Sequence, residues 1–247
     1  MTDLIRKKPV LGMLVAIMLG AASATEAQDS PWSADVAIGW DNGLTGNVNA
    51  SAIGAINNQV VVITSNSYND VFGAGLHLRF GGGYKYREDT EFRFNYTFQS
   101  LDADFVTPMG DIGLSNLYAQ YDDYQTNVFD FGVRRYGQVS PKLRAYGEGL
   151  IGFARVDKIG VTLVAPGANL VTQATDFYDS STAFTFAVNV GMLVQSTDKV
   201  GFFGQLGFRR VGGLSEVDNL IGTGLDEIND KSARWTLPFI GGIRYQF

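Results

Sequence analysis

The chain has 247 residues, no cysteine, one histidine, 30 glycines and 13% aromatic residues, with only 18% charged residues and a formal net charge of −6. The missing cysteines exclude a disulfide framework and thiolate metal sites, and the acidic balance excludes a protein that works by neutralising nucleic-acid phosphates. Abundant glycine and aromatic residues point to an all-β chain, and a mean hydropathy of +0.02 is what alternating lipid-facing and lumen-facing residues would average to.

Arg6, Lys7 and Lys8, then the apolar run Val10 to Ala22, then small residues at Ala22, Ala24 and Ala27 predict a secretory signal peptide over 1–27. Cleavage is expected after Ala24 or Ala27, and 28–247 is expected to form one barrel domain. A cut after Ala27 removes three basic and two acidic residues, taking the charge from −6 to −7. The apolar run is too short for a spanning helix, which needs about 20 residues, and no later stretch supplies one. An exported chain of this kind enters a membrane only as a barrel.

Alternation of apolar and polar residues then predicts strands, because successive side chains of a strand point to opposite faces. The first runs from Trp32 to Asp41, with Trp32, Ala34, Val36, Ile38 and Trp40 on one face and Asp35 and Asp41 on the other. Asn42 to Asn69 is polar, broken by a β-prone run at Val60 to Ile63 that reads as an extension of the barrel above the membrane. The second strand, Val71 to Tyr86, sets Phe72, Leu76, Leu78, Phe80, Tyr84 and Tyr86 against His77, Arg79 and Lys85. After a turn at Arg87 to Asp89, the third, Thr90 to Leu101, sets Phe92, Phe94, Tyr96 and Phe98 against Glu91, Arg93, Asn95 and Thr97. A soluble sandwich would not show four outward aromatics above a charged opposite face.

Asp102 to Asp123 reads as a polar loop. The fourth strand, Tyr124 to Tyr136, opposes Phe129, Phe131 and Val133 to Asp130 and Arg134, with Val128 as an inward apolar exception. The fifth, Leu143 to Arg155, carries Arg144, Tyr146 and Glu148 inward, and a partly apolar loop follows to Ser180. The sixth, Ser181 to Gln195, and the seventh, Val200 to Val211, keep the pattern, with Arg209 inward. After the loop Gly212 to Ser232 comes Trp235 to Phe247, with Trp235, Leu237, Phe239, Ile243, Tyr245 and Phe247 on one face and Thr236, Ile240 and Arg244 on the other. Eight strands joined alternately by long and short connections predict an all-β, up-and-down antiparallel transmembrane barrel with short periplasmic turns and four longer extracellular loops. Closure is required, since unpaired edge groups cost several kcal/mol each in lipid.

This organisation, with the Gly81 to Tyr84 run and the ending Gly241-Gly242-Ile243-Arg244-Tyr245-Gln246-Phe247, resembles the small eight-stranded bacterial outer-membrane barrels, the outer-membrane protein A-like transmembrane domain and porin-family relatives. The resemblance implies a Gram-negative outer-membrane location, a monomer, and contact with outer-membrane lipids and lipopolysaccharide. It also implies that the barrel-assembly machinery reads an insertion signal at Phe239, Ile243, Tyr245 and Phe247.

By parity His77, Arg79, Lys85, Glu91, Arg93, Asp130, Arg134, Arg144, Tyr146, Glu148, Arg209 and Arg244 face the lumen. Eight strands leave room for little more than side chains, so these charges are expected to pair and plug the barrel. The alternative is a narrow porin-like channel for small solutes, tilted toward anions by the excess of basic groups. A third reading is a lipid A-modifying enzyme. Some relatives use His with Ser for such chemistry, but His77 is followed by Leu78 and Arg79 with no His-x-Ser motif, so no enzyme is expected. No cofactor or metal spacing appears, and Gly81 to Gly83 sit in a strand, where they ease close packing. Trp32, Trp40 and Trp235, with Arg155 and Arg210, mark the lipid interfaces. Acidic residues dominate the predicted outer loops (Asp102, Asp104, Asp111, Asp122, Asp123, Asp157, Asp176, Asp179, Glu216, Asp218, Asp226, Glu227 and Asp230), and read as a solvated surface or a divalent-cation-dependent contact. The function expected is structural or surface-interactive: membrane integrity, adhesion or lipopolysaccharide contact.

Overall fold

The computed structural model describes residues 30–56, 58–172, 174–217, 225, 228–229 and 233–247. The leader over 1–27 and Asp218, Asp226, Glu227, Asp230 and Lys231 of the last long connection lie outside the described residues. In chain order the elements begin with β1 (Trp32–Thr45), β2 (Asn47–Asn49), β3 (Ala52–Ile56), β4 (Gln59–Ile63), β5 (Asn66–Ser67) and the helical turn α1 (Tyr68–Val71). Then come β6 (Gly75–Arg87), β7 (Thr90–Leu101), β8 (Thr107–Ile112), β9 (Ser115–Tyr121), β10 (Tyr124–Ser140) and β11 (Leu143–Val156). The chain finishes with β12 (Ile159–Ala165), β13 (Leu170–Val171), β14 (Thr175–Asp179), β15 (Ser181–Gln195), β16 (Val200–Val211), β17 (Ser215–Glu216) and β18 (Arg234–Gln246).

Eight of these close into an antiparallel barrel in the order β1-β18-β16-β15-β11-β10-β7-β6. The seam that joins the two ends of the chain runs from Ser33 opposite Gln246 to Thr45 opposite Trp235. Closure leaves no unpaired edge, the condition for a sheet to lie in hydrocarbon. Large apolar side chains stand on the outside of all eight strands, among them Ile38, Phe94, Phe131, Phe153, Val190, Leu206 and Phe239. Leu76 represents β6 in that belt, half exposed. Such a continuous apolar belt is a lipid-facing surface.

The long connections are not loops. All four contribute strands to a second sheet, ordered β17-β14-β12-β9-β8-β4-β3, with β13 paired to β12. The segments 102–123 and 156–180, read from sequence as loops, therefore hold β8, β9, β12, β13 and β14. β9 and β12 do alternate, with Leu117, Ala119 and Tyr121 and then Ile159, Val161, Leu163 and Ala165 buried, but each run has only seven residues and does not stand out from a loop. Val48, Val61, Met109, Leu117, Ile159 and Tyr178 are fully buried in one shared core. Val128, Ala154, Val156 and Val211 extend that core down into the barrel mouth. The inward Val128 is thus the point where a polar lumen gives way to an apolar cap. The Val60 to Ile63 run is β4, hairpinned to β3.

The second barrel strand begins at Gly75, not Val71. Tyr68 to Val71 instead form α1, with the Ser67 amide donating to Asp70 at 2.8 Å as a cap. Tyr68, Val71 and Phe72 turn into the cap core, which pulls the chain off the barrel wall there.

Candidate functional site

The inward faces converge on five buried carboxylates, and each meets arginine from a different strand. Asp35 of β1 accepts from Arg93 of β7, with Arg79 of β6 at 4.0 Å. Glu148 of β11 binds Arg134 at 2.6 Å, with Arg93 at 3.5 Å, Arg79 at 3.9 Å and the Asn189 amide at 2.8 Å. Glu91 accepts from Arg244 at 2.5 Å, Ser33 at 2.6 Å and the Tyr136 hydroxyl at 2.8 Å. Asp130 takes Arg209 in bidentate fashion, at 2.6 and 3.2 Å. Asp41 accepts from Gln99 and lies 3.5 Å from Arg234. Opposite charges at such distances offset the desolvation of ions inside a barrel, and Glu148, Glu91 and Asp41 gain further hydrogen bonds from uncharged groups.

Aromatic faces complete the cage. Arg134 lies 4.2 Å over Tyr146, Arg79 lies 5.4 Å from Phe203, and Arg234 lies 5.0 Å over Tyr124. Gln205 joins the layers by accepting from both Arg79 and Tyr146 at 3.1 Å. Space for the pairs comes from glycine. A Cβ on Gly81 would strike Asp35 and Arg93, and one on Gly83 would strike Glu91 and Ser33. Gly81 and Gly83 of β6 are therefore a recess for ion pairs.

The sequence-predicted residues divide by depth. His77, Arg79, Glu91, Arg93, Asp130, Arg134, Tyr146, Glu148, Arg209 and Arg244 are buried inside the barrel. Lys85 is exposed and Arg144 half-buried, both at the short-turn mouth rather than in the network. His77 is buried near Arg79 and Arg209 on the same inner face, and neither ring nitrogen has a hydrogen-bond partner among the described residues. Asp35, Asp41 and Arg234 belong to the network although the predicted set lacks them. Parity already puts the two aspartates on the inner face, whereas Arg234 precedes the expected start of its strand. With them the core holds, among the described residues, six arginines, Arg79, Arg93, Arg134, Arg209, Arg234 and Arg244, against five carboxylates. The excess of basic groups read from the sequence shrinks to near balance.

On the outside, Trp32 packs edge-on to Tyr84 with centroids 4.9 Å apart, at the short-turn end. Trp235, at the opposite end of its strand, sits 5.0 Å from Phe208, with Arg210 at 5.5 Å over its ring. Trp40 pairs with Phe239 at 5.3 Å. Arg155 is exposed, as are Ile243 and Phe247 of the terminal stretch, and Tyr245 stacks edge-on against Phe247 at 5.1 Å.

No family model matches the chain, and no curated protein does. Solved structures do. Neisserial surface protein A is similar at 10% identity and a TM-score of 0.45, over 88% of this chain and 98% of that one. The outer membrane protease OmpT of Escherichia coli follows at 9% and 0.43, over 91% and 99%. The attachment invasion locus protein of Yersinia pestis, solved with the heparin analogue sucrose octasulfate, stands at 9% and 0.37, over 87% and 99%. The barrel itself is established by this chain's own closed strand order.

Three acidic residues of the outer connections are held by local partners. Asp123 accepts from the Ala103 amide at 2.9 Å, Asp122 from Gly160 at 3.0 Å, and Asp176 pairs with Lys158 at 3.0 Å. Among the described residues no group of three or more His, Cys, Asp or Glu could hold a metal ion. Several polar groups inside the cap are matched, whereas the buried Thr107 and Tyr124 hydroxyls have no hydrogen-bond partner among the described residues. The Tyr121 hydroxyl reaches Asn49 at 3.3 Å, Tyr178 donates to the Val48 carbonyl at 2.5 Å, and Asn229 donates to Phe177 at 2.6 Å. Burial pushes the Tyr121 phenol well above its ordinary range.

Proposed function

We propose that the protein is an outer-membrane barrel with a sealed lumen, whose role is structural or surface-interactive rather than transport. The observation that carries this is the lumen cross-section: five carboxylates and six arginines, all buried, cross-linked strand to strand below an apolar cap. A continuous water file through this layer would have to break several buried ion pairs at once, each costly to leave half-made. The apolar belt with tryptophans toward both ends supports membrane residence, and the signal-like leader supports export. The outer sheet gives the protein a folded face for contact with lipopolysaccharide or a neighbouring cell. We take the protein to be no enzyme, since His77 is 2% exposed within the lumen and has no Ser or Asp hydrogen-bonded to it among the described residues.

Planar-bilayer recording of the refolded full chain tests the reading. Baseline current with at most brief, small openings is expected. Stable porin-like steps would replace it with the channel reading. A lipid A mass profile that changes on expression, and reverts with His77→Ala, would establish an enzyme instead.

A further inference from the structure

We propose that the short-turn mouth of the barrel is a binding site for phosphate-type anions. A cavity of about 260 Å³ opens there, floored by Leu193 and the Glu91–Arg244 pair. Lys85, Arg87, Arg144 and Lys199 stand around it, opposed by only Glu88 and Asp198 once Arg244 and Glu91 have neutralised each other. On a chain of net charge −6 this is a local reversal of sign. A concave, low-dielectric wall concentrates such a field on a small ion.

Arg144 is the organising group. Its guanidinium lies 4.0 Å over the Tyr136 ring and donates to the Glu88 backbone carbonyl at 3.0 Å. It is therefore held in place by neutral partners, with no carboxylate ion pair among the described residues, and its charge remains available to a ligand. A planar, pre-oriented fork of N–H donors suits the tetrahedral oxygens of phosphate better than a mobile ammonium does. Arg244, 7% exposed on the floor, has an Nη1 with no hydrogen-bond partner among the described residues. The pocket takes a phosphate or pyrophosphate group and not a polymer. That group is supplied either by a soluble phosphate compound on the short-turn side or by the headgroup of a phospholipid in the adjoining leaflet.

The test is titration of inorganic pyrophosphate into the refolded full chain, in phosphate-free detergent at low salt, followed by calorimetry and ³¹P resonance. Saturable binding is expected, weakened by added salt and about tenfold by Arg144→Gln, the worth of one charge-assisted contact. Lys85→Gln, at the exposed rim, gives a second reading that does not touch the Tyr136 stack, and is expected to weaken binding too. Lys158→Gln, in the outer sheet, is expected to leave it unchanged. Repeating the titration in phosphatidylglycerol nanodiscs separates the sources: lost pyrophosphate binding assigns the site to a headgroup, retained binding to a soluble compound. Absence of saturable binding in detergent, or equal binding by wild type and both mouth variants, overturns the proposal.

Discussion

Glu148 shows how much a single side chain does inside this barrel. It receives Arg134 directly, stands within 4 Å of Arg93 and Arg79, and accepts from Asn189. Glu148→Gln keeps the shape but leaves three guanidinium groups short of charge, a loss of about 3–5 kcal/mol. Urea unfolding in micelles is expected to show that drop, while Glu88→Gln at the exposed mouth stays within about 0.5 kcal/mol. Equal midpoints for both would mean that the network carries no stability. Asp89, in the β6–β7 turn, behaves differently. Hydrogen bonds from Thr90 and Arg135 hold its carboxyl below the usual range. A group whose pKa is lowered by folding stabilises the fold above its unfolded pKa, and that contribution fades as pH falls through about 4. Asp89→Asn is thus expected to lower stability slightly at pH 7 and to flatten the acid limb of the curve, the difference from wild type vanishing at low pH once the carboxyl is protonated in both the folded and the unfolded state. Parity made most lumen residues legible at this scale, because a strand permits only two directions. Partner choice was not legible. Nothing in the order of residues says that Asp35 meets Arg93, or that Asp41 lies by Arg234, since both contacts depend on barrel stagger.

A strand in this molecule is readable when it has lipid on one side. β6, β7 and β15 show unbroken alternation because every second residue meets hydrocarbon. β8, β9 and β12 bury one face on a protein core but run for seven residues or fewer, and Gly110 and Gly160 interrupt the pattern of β8 and β12, so they read as loops. The β1–β18 seam is the element that the rest of the barrel needs. Gly39 faces inward there, and a Cβ on it would fall on the Phe239 carbonyl oxygen. Gly39→Val is therefore expected to stop the ends of the chain from pairing. Gel migration before and after heating reads this directly: the compact, heat-sensitive band of a closed barrel should vanish. Its persistence would show that the seam adjusts, and that the small residue is dispensable.

At the level of the whole molecule, the second sheet ties all four long connections into one body over the barrel mouth. Hydrogen exchange in nanodiscs is expected to find the amides of Thr107–Ile112, Ser115–Tyr121 and Ile159–Ala165 protected nearly as long as those of the barrel wall. Exchange within seconds across all three would mean that the cap is not a cooperative unit. The barrel's count and closure were legible in the sequence; the cap was not, because its core is assembled from pieces that separately look like ordinary polar links.

The lumen ion pairs join residues far apart along the chain: Arg93 to Asp35, Arg209 to Asp130, and Arg244 to Glu91 across 153 positions. An unfinished cylinder, with β18 not yet docked, would hold Arg244 and Arg234 away from Glu91 and Asp41. Naked ions of that kind resist entry into oil. Premature insertion of a partial chain is therefore disfavoured by its own uncompensated charges, and the membrane admits this protein most readily once first and last strands have met.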